Sequence, residues 1–384
     1  MTVLNSKPAF NLREALTSLK RKIGLKGAEL MAAKTVDDVY NIIGTNRNKI
    51  INGAMVIDQR NAGASVTVNT DPIYTIDRFF GYIGGGLGSY TAQQSTTAPS
   101  NFKNSLLITA GAGASITSGV YAGIAQKIEG LNIVDFGFGT SSAKSVSISF
   151  WIRCSLTGTF GGYVRNGDTA DRSYIFAFTI NSANTWEYKT VVIPGDTTGT
   201  WATNTSAGLQ VGFDLGVGTN YSADAGSWVS GNRFGLTGGV KLLATTGATM
   251  YITGLQVEVG TQATPFERRA YSTEFQLCTR YYWKNSASGV YSQLGFFGTA
   301  GSTTAVIGYP ILPSVMRATP TLNSSNTRLA DGASGLTFSS VAVTFGGTLT
   351  PELTFTVSGA TTYRPYYLQA NNNASAWFDY SAEL

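Results

Sequence analysis

The chain has 384 residues, of which 43% are hydrophobic and 13% charged, with a formal net charge of +5. That length supports two or three domains with real hydrophobic cores, and 45 Gly, 20 Phe and 19 Tyr point to an all-β protein with many tight turns. Histidine is absent, which excludes imidazole bases, Ser–His and Cys–His nucleophiles and His-ligated metals.

The charge excess sits at the start. Residues 1–50 carry nine Lys/Arg against four acids, and the rest carry eighteen of each. A nucleic-acid-binding face is one reading of such an excess; a solvated, docking-competent helix surface is the one adopted, and no nucleic-acid partner is expected. Asn11 with Glu14 forms a capping box, and Leu12, Leu16, Leu19 and Ile23 then share one helical face. Gly24 and Gly27 end that helix. Thr35 caps a second, with Asp37 and Asp38 in its first turn and Val36, Val39 and Ile43 on its apolar side. Residues 1–49 therefore read as a short helical attachment segment that needs a partner surface. No apolar run is long enough to cross a bilayer, and the first residues lack the apolar region of a secretory signal. The expectation is synthesis in the cytosol, a soluble product and no membrane insertion.

From about residue 50 the apolar period changes from 3.6 to 2. Val146, Ile148, Phe150, Ile152 and Cys154 alternate with Ser147, Ser149, Trp151 and Arg153. Tyr174, Phe176, Phe178 and Ile180 alternate with Ile175, Ala177 and Thr179, and Leu255, Val257 and Val259 with Gln256 and Glu258. Such runs predict antiparallel strands with one core face and one wet face. Asn166-Gly167-Asp168, Pro194-Gly195-Asp196 and Gly231-Asn232 are turn signals between them. With no helical pattern in between, residues 50–275 predict a jelly-roll β-sandwich. Residues 276–384 are richer in Thr, Ser, Gly and Asn and predict a second, distal β domain that is a candidate for receptor binding, with TTAVIGYPI and LTFTV as strands and LPSVMRATPTL as an extended connection.

Cys154 and Cys278 form no C-x-x-C pair. Each reads as a small buried hydrophobe, with a disulfide between them left open. Trp151 is on the strand face opposite Ile148 and Phe150, which makes it a candidate for exposure. Tyr221 and Trp228 fall in the polar run GTNYSADAGSWVSGN, and aromatics presented beside Ser, Asn and Asp are a common way to build a sugar site. Trp186 and Trp201 read as packing residues. Arg280, Tyr281, Tyr282 and Trp283 form an Arg-aromatic cluster suited to an oligomer or domain interface. In ATPFERR, Phe266 is expected to plug the core and Glu267 to pair with Arg268 or Arg269. Asp168 and Asp171 read as an ordinary Asn-Gly-Asp turn, with a calcium site of turn oxygens as the alternative left open. No metal, cofactor or catalytic residue is expected, since paired carboxylates are the one enzymatic option left and none lies in an aromatic-rich motif.

Several segments in fixed order carry a resemblance: IINGAMVIDQRN (51–61), YTIDRFF (74–80), SFWIRCSLTGTF (149–160), NTWEYKTVVIPGDTTGTW (184–201) and YITGLQVEVGTQATPFERRAYSTEFQLCTRYYW (251–283). They are similar to tailed-bacteriophage fibre proteins of tail and head that contain a carbohydrate-binding-module-like jelly roll. The resemblance implies a virion structural protein, a homotrimer and contact with host cell-surface glycan, with residues 1–49 bound to other virion proteins of tail, neck or capsid. The alternative it leaves open is a purely structural head-fibre, neck or adaptor component without glycan binding.

Overall fold

The computed structural model describes residues 46–384. The helical segment expected at residues 1–49, with Leu12, Leu16, Leu19, Ile23, Val36, Val39 and Ile43, falls outside the described residues apart from its last four positions. Residues 48–384 form one compact unit.

Within it, chain order gives β1 (Val66–Val68), β2 (Ile73–Ile76), β3 (Phe79–Gly84), β4 (Tyr90–Ser95), β5 (Ser105–Ala110), β6 (Tyr121–Glu129), β7 (Val146–Cys154) and β8 (Gly158–Asn166). There follow β9 (Arg172–Ile180), β10 (Glu187–Ile193), β11 (Ala207–Asp214), β12 (Ser222–Ala223), β13 (Trp228–Ser230), β14 (Gly235–Leu236) and β15 (Thr249–Val259). The helix α1 (Tyr271–Thr279) leads into β16 (Tyr282–Ser286), β17 (Gln293–Ser302), β18 (Ala305–Pro310), β19 (Thr321–Ser325) and β20 (Thr327–Ala330). Last come β21 (Gly335–Leu336), β22 (Phe338–Phe345), β23 (Glu352–Val357), β24 (Pro365–Ala370) and β25 (Trp377–Ser381).

The protein is mainly β. A six-stranded sheet, β1-β4-β5-β15-β7-β10, packs on a seven-stranded sheet, β13-β9-β8-β11-β6-β3-β2. The alternation of β7 explains the packing: Val146, Ile148, Phe150, Ile152 and Cys154 are fully buried. Phe150 meets Phe178 at 5.2 Å and Phe213 at 5.0 Å from the opposite sheet, close to the edge-to-face geometry that the ring quadrupoles favour. The turns read at Asn166, Pro194 and Gly231 all fall between strands. A second core gathers Leu294, Phe296, Phe355, Leu368 and Phe378 from the sheet β21-β20-β24-β17-β18-β23-β22 and the smaller sheet β16-β25-β19. Both cysteines are buried and free.

The expectation of a wet outer face needs a correction on the six-stranded sheet. Ser147, Ser149, Gln256 and Glu258 are buried, and residues 264–267 fold back over Gln256 and Glu258. Thr264 donates to Glu258 through its backbone N at 2.7 Å and its hydroxyl at 2.8 Å, and the Glu267 backbone N donates to Gln256 Oε1 at 2.8 Å. These bonds replace the lost water at Gln256 and Glu258, whereas the Ser147 hydroxyl is buried without a hydrogen-bond partner. Phe266 packs on Phe102 at 5.2 Å and remains half-buried.

A second correction is α1, within a stretch where no helix was expected. Tyr271, Phe275 and Cys278 recur at helical spacing. Cys278 anchors a small cluster with Ile51, Ile57 and Tyr281 where the sandwiches meet. Polar anchors surround it. Glu129, the last residue of β6, accepts from Arg280 Nε at 3.0 Å and Nη2 at 2.6 Å and from the Tyr281 hydroxyl at 2.8 Å. Tyr282 donates to Asp379 at 2.9 Å, and Trp283 stacks on Tyr380 at 5.3 Å. Glu383 pairs with Arg60 at 2.7 Å and also with Arg78. Arg280, Tyr281, Tyr282 and Trp283 thus line the seam between the jelly roll and the C-terminal sandwich.

Candidate functional site

The inner face of the seven-stranded sheet fills the core, so alternation turns a second set of side chains outward. In β3, Phe79 and Ile83 point into the main core, while Phe80 and Tyr82 join an outer cluster with Ala125, Tyr163, Ile175 and Phe234. Three directly opposed Tyr–Gly pairs shape this face: Tyr121 with Gly84, Tyr82 with Gly123, and Tyr163 with Gly212. A Cβ on Gly84 would lie 2.4 Å from the Tyr121 ring, on Gly123 2.0 Å from the Tyr82 hydroxyl, and on Gly212 2.6 Å from the Tyr163 ring. Glycine therefore lets each ring lie across the neighbouring strand instead of standing away from it.

Phe234 closes the cluster. Its ring meets Tyr82 at 5.7 Å, Tyr121 at 5.9 Å, Tyr163 at 5.9 Å and Tyr221 at 5.2 Å, the last nearly parallel. Tyr121 and Tyr221 stay half-buried and form the walls of a cleft of about 300 Å³, the lower end of the ~300–1,000 Å³ typical of ligand pockets. Asp71, Pro72, Lys127, Arg165, Gln210 and Asn232 also line it.

The polar groups stand in register. Lys127 on β6 opposes Gln210 on β11, which opposes Arg165 on β8, so the two cations flank the amide at a spacing of about 5 Å per strand. Gln210 Oε1 accepts from Arg165 Nε at 3.2 Å and Nη2 at 2.9 Å, and Gln210 Nε2 donates to the Tyr163 hydroxyl at 2.7 Å. Arg165 Nη1 donates to Asn232 Oδ1. The guanidinium also lies over the Phe234 ring at 5.2 Å, and the Lys127 ammonium 5.8 Å from the Phe80 ring centre. Burial, then the neighbouring Arg165, pull the Lys127 ammonium below its ordinary pKa. Burial pushes the Asp71 carboxyl up, against the pull of both cations.

Of the three aromatics singled out in the sequence, Tyr221 lines this cleft. Trp228 sits elsewhere: its Nε1 donates to the Pro194 carbonyl at 2.7 Å and its ring meets Tyr174 at 5.4 Å and Trp201 at 5.6 Å. Trp151 lies on the outer face of the other sheet, half-buried beside Tyr188 at 5.4 Å. Trp201 is buried, and Trp186 edges onto Tyr251 at 6.1 Å. Asp171 accepts from the Thr169 hydroxyl at 2.5 Å within its turn. Among the described residues no group of three or more His, Cys, Asp or Glu could hold a metal ion, and no helix is long and apolar enough to cross a membrane. The reading missed Phe80, Tyr82, Lys127, Arg165, Gln210 and Phe234. A signal was present, because FFGYIG, YAGIAQK and GGYVRN place tyrosines and glycines alternately on the strand face away from the core.

No protein-family model and no curated protein matches the chain. Among solved structures it is similar to the enzymatically active domain of a tailspike protein of bacteriophage CBA120, at 12% identity and a TM-score of 0.29, over 56% of this chain and 22% of that one. The chain thus spans about a fifth of the length of that solved domain. It is also similar to a family 11 carbohydrate-binding module from Clostridium thermocellum in complex with a mixed-linked tetrasaccharide, at 13% identity, a TM-score of 0.27 and coverage of 52% and 98%. A xylan-binding domain from Paenibacillus barcinonensis is similar at 11% identity, a TM-score of 0.24 and coverage of 53% and 99%.

Proposed function

We propose that this protein is a non-enzymatic bacteriophage fibre component that binds host-surface glycan in the cleft walled by Tyr121 and Tyr221. The observation that carries this reading is the cleft itself, where flat aromatic rings stand beside Lys127, Arg165, Gln210, Asn232 and Asp71. A sugar has apolar C–H faces and a rim of hydroxyls, so it suits rings on one side and fixed donors and acceptors on the other. The fibre assignment is supported by the ordered segments of residues 51–283. In this reading residues 1–49 attach the chain to the virion, three copies assemble, and several weak sites act together. The test is a glycan array and host-cell binding assay with the full chain and its Tyr221→Ala variant. Binding that the variant weakens at least tenfold supports the reading, and an array without any dependence on Tyr221 refutes it.

A second reading is a virion component without glycan affinity, for which the C-terminal sheet offers an assembly surface. Tyr367, Phe297 and Tyr309 oppose one another across β24, β17 and β18, with Phe297 50% and Tyr309 55% exposed. Such a nearly uncharged row suits contact with a second copy of this chain. Light scattering on Phe297→Asp tests it: the variant drops to monomer if this row is the subunit interface, and an unchanged mass refutes that assignment.

A further inference from the structure

The cleft combines two features that a neutral sugar would not require. Lys127 and Arg165 both face it, and neither has a carboxylate within ion-pairing distance among the described residues. Three other cations of the same compact unit do meet carboxylates: Arg172 meets Asp196 at 2.7 Å, Lys241 meets Asp214, and Arg280 meets Glu129 at 2.6 Å. Arg165 is instead held by two neutral amides, Gln210 and Asn232, which orient the guanidinium without satisfying its charge. The Lys127 ammonium makes no hydrogen bond or ion pair among the described residues and lies over an aromatic ring. Removing a cation from water without a partner is costly, and such a cost is recovered when a ligand supplies the counter-charge.

Resting on the glycan reading above, we infer that the cleft selects acidic glycan, with the carboxylate of a hexuronic acid seated above Gln210 between Lys127 and Arg165 while a sugar face packs on Tyr121 or Tyr221. The register carries the placement. Lys127, Gln210 and Arg165 occupy one cross-strand row, and a carboxylate over the central strand faces a cation on each side, about 5 Å away in strand spacing. Arg165 still has hydrogens on its guanidinium edge for a charge-assisted bond. Asp71, the one acidic side chain lining the cleft, sets the opposing term: it repels the same carboxylate and makes the selection moderate.

The experiment uses the full chain and matched pairs of oligosaccharides, a tetragalacturonate and its carboxyl-reduced form together with host polysaccharides before and after carboxyl reduction. Calorimetry at two salt concentrations reads the affinities. The acidic member binds at least tenfold more tightly than its reduced partner, and the difference shrinks at high salt as screening grows. Lys127→Gln removes most of that preference, weakening acidic binding at least fivefold more than neutral binding. Asp71→Asn strengthens acid binding severalfold, a gain that a damaged fold would not produce. Equal affinity for acidic and reduced members, or equal weakening of both by Lys127→Gln, overturns the acid selection and leaves the glycan reading standing. Absence of any binding that depends on Tyr221 overturns both.

Discussion

Replacing Phe234 separates what the cleft contributes to stability from what it contributes to binding. Its ring is 5% exposed and touches four tyrosines. Truncating a buried Phe costs about 3–5 kcal/mol, transfer and cavity terms together. The site opens into the cleft, so water fills part of the space and the lower end, about 3 kcal/mol, is expected for Phe234→Ala. At about 2 °C per kcal/mol for a unit of this size, the melting temperature falls by about 6 °C. Phe234→Leu keeps most of the volume and costs about 1–1.5 kcal/mol. It nevertheless removes the flat partner that holds Tyr221 parallel at 5.2 Å, so glycan affinity falls at least tenfold. Urea denaturation followed by Trp fluorescence gives the first quantity, and calorimetry with the tetragalacturonate probe gives the second. A Phe234→Ala protein that melts within 1 °C of wild type, or a Phe234→Leu protein that binds as wild type does, refutes the platform.

The remaining expectations concern the seam, the floor of the cleft and pH. Glu129→Ala leaves Arg280 and the Tyr281 hydroxyl without their acceptor. With Arg280 30% exposed, the loss is discounted to about 2 kcal/mol, and Arg280→Leu added on top costs less than it does alone; strict additivity in denaturation would show that the pair is not coupled. Gly212→Ala forces the Tyr163 ring off β11, destabilises the protein by about 1–3 kcal/mol and weakens binding in the same variant, which melting and calorimetry check. Asp77 is pushed up to about 6 by burial, against the pull of Arg60 and two bonds from Gln59. Its folded pKa lies above its unfolded value of about 3.9, so its share of stability is fully present below pH 4 and is lost as pH rises through about 6. Unfolding free energy therefore declines over that window by up to about 3 kcal/mol from this group, and Asp77→Asn flattens the decline; an unchanged profile would remove Asp77 as the cause.

The strands were legible because burial on one face leaves a period of two. In β7 each residue assigned inward is fully buried, since the core imposes its pattern directly on the sequence. The outer face was less legible. Gln256 and Glu258 read as wet because their polarity is local, while the segment that covers them begins six residues later, at Thr264. The cleft was hardest to see, because its members come from β3, β6, β8 and β11 and from the loops at Asp71, Tyr221 and Phe234. Only cross-strand register brings Lys127, Gln210 and Arg165 together, and register depends on pairings between residues 45 and 83 positions apart. The tryptophans do not mark the cleft for a related reason: Trp228 keeps its polar edge satisfied by a backbone carbonyl, and nothing in its neighbouring residues announces that bond.

The same register ties the cleft to the C-terminal sandwich. Lys127 turns its ammonium toward the cleft while its carbonyl accepts from Arg78 Nη2 at 2.6 Å. Arg78, almost fully buried, also pairs with Glu383 and lies 3.5 Å from the Tyr281 ring centre. The next residue, Leu384, lines the cleft, and its carbonyl accepts from the Tyr74 hydroxyl at 3.1 Å. One wall of the cleft is thus supplied by the segment that leaves β25. If adhesion depends on this wall, Glu383→Gln weakens glycan binding although residue 383 is not among the cleft-lining side chains, and it does so together with a loss of stability at the seam. A Glu383→Gln protein destabilised at the seam with undiminished affinity would show that the cleft is complete within the jelly roll, and the C-terminal sandwich would then owe its place to assembly rather than to recognition.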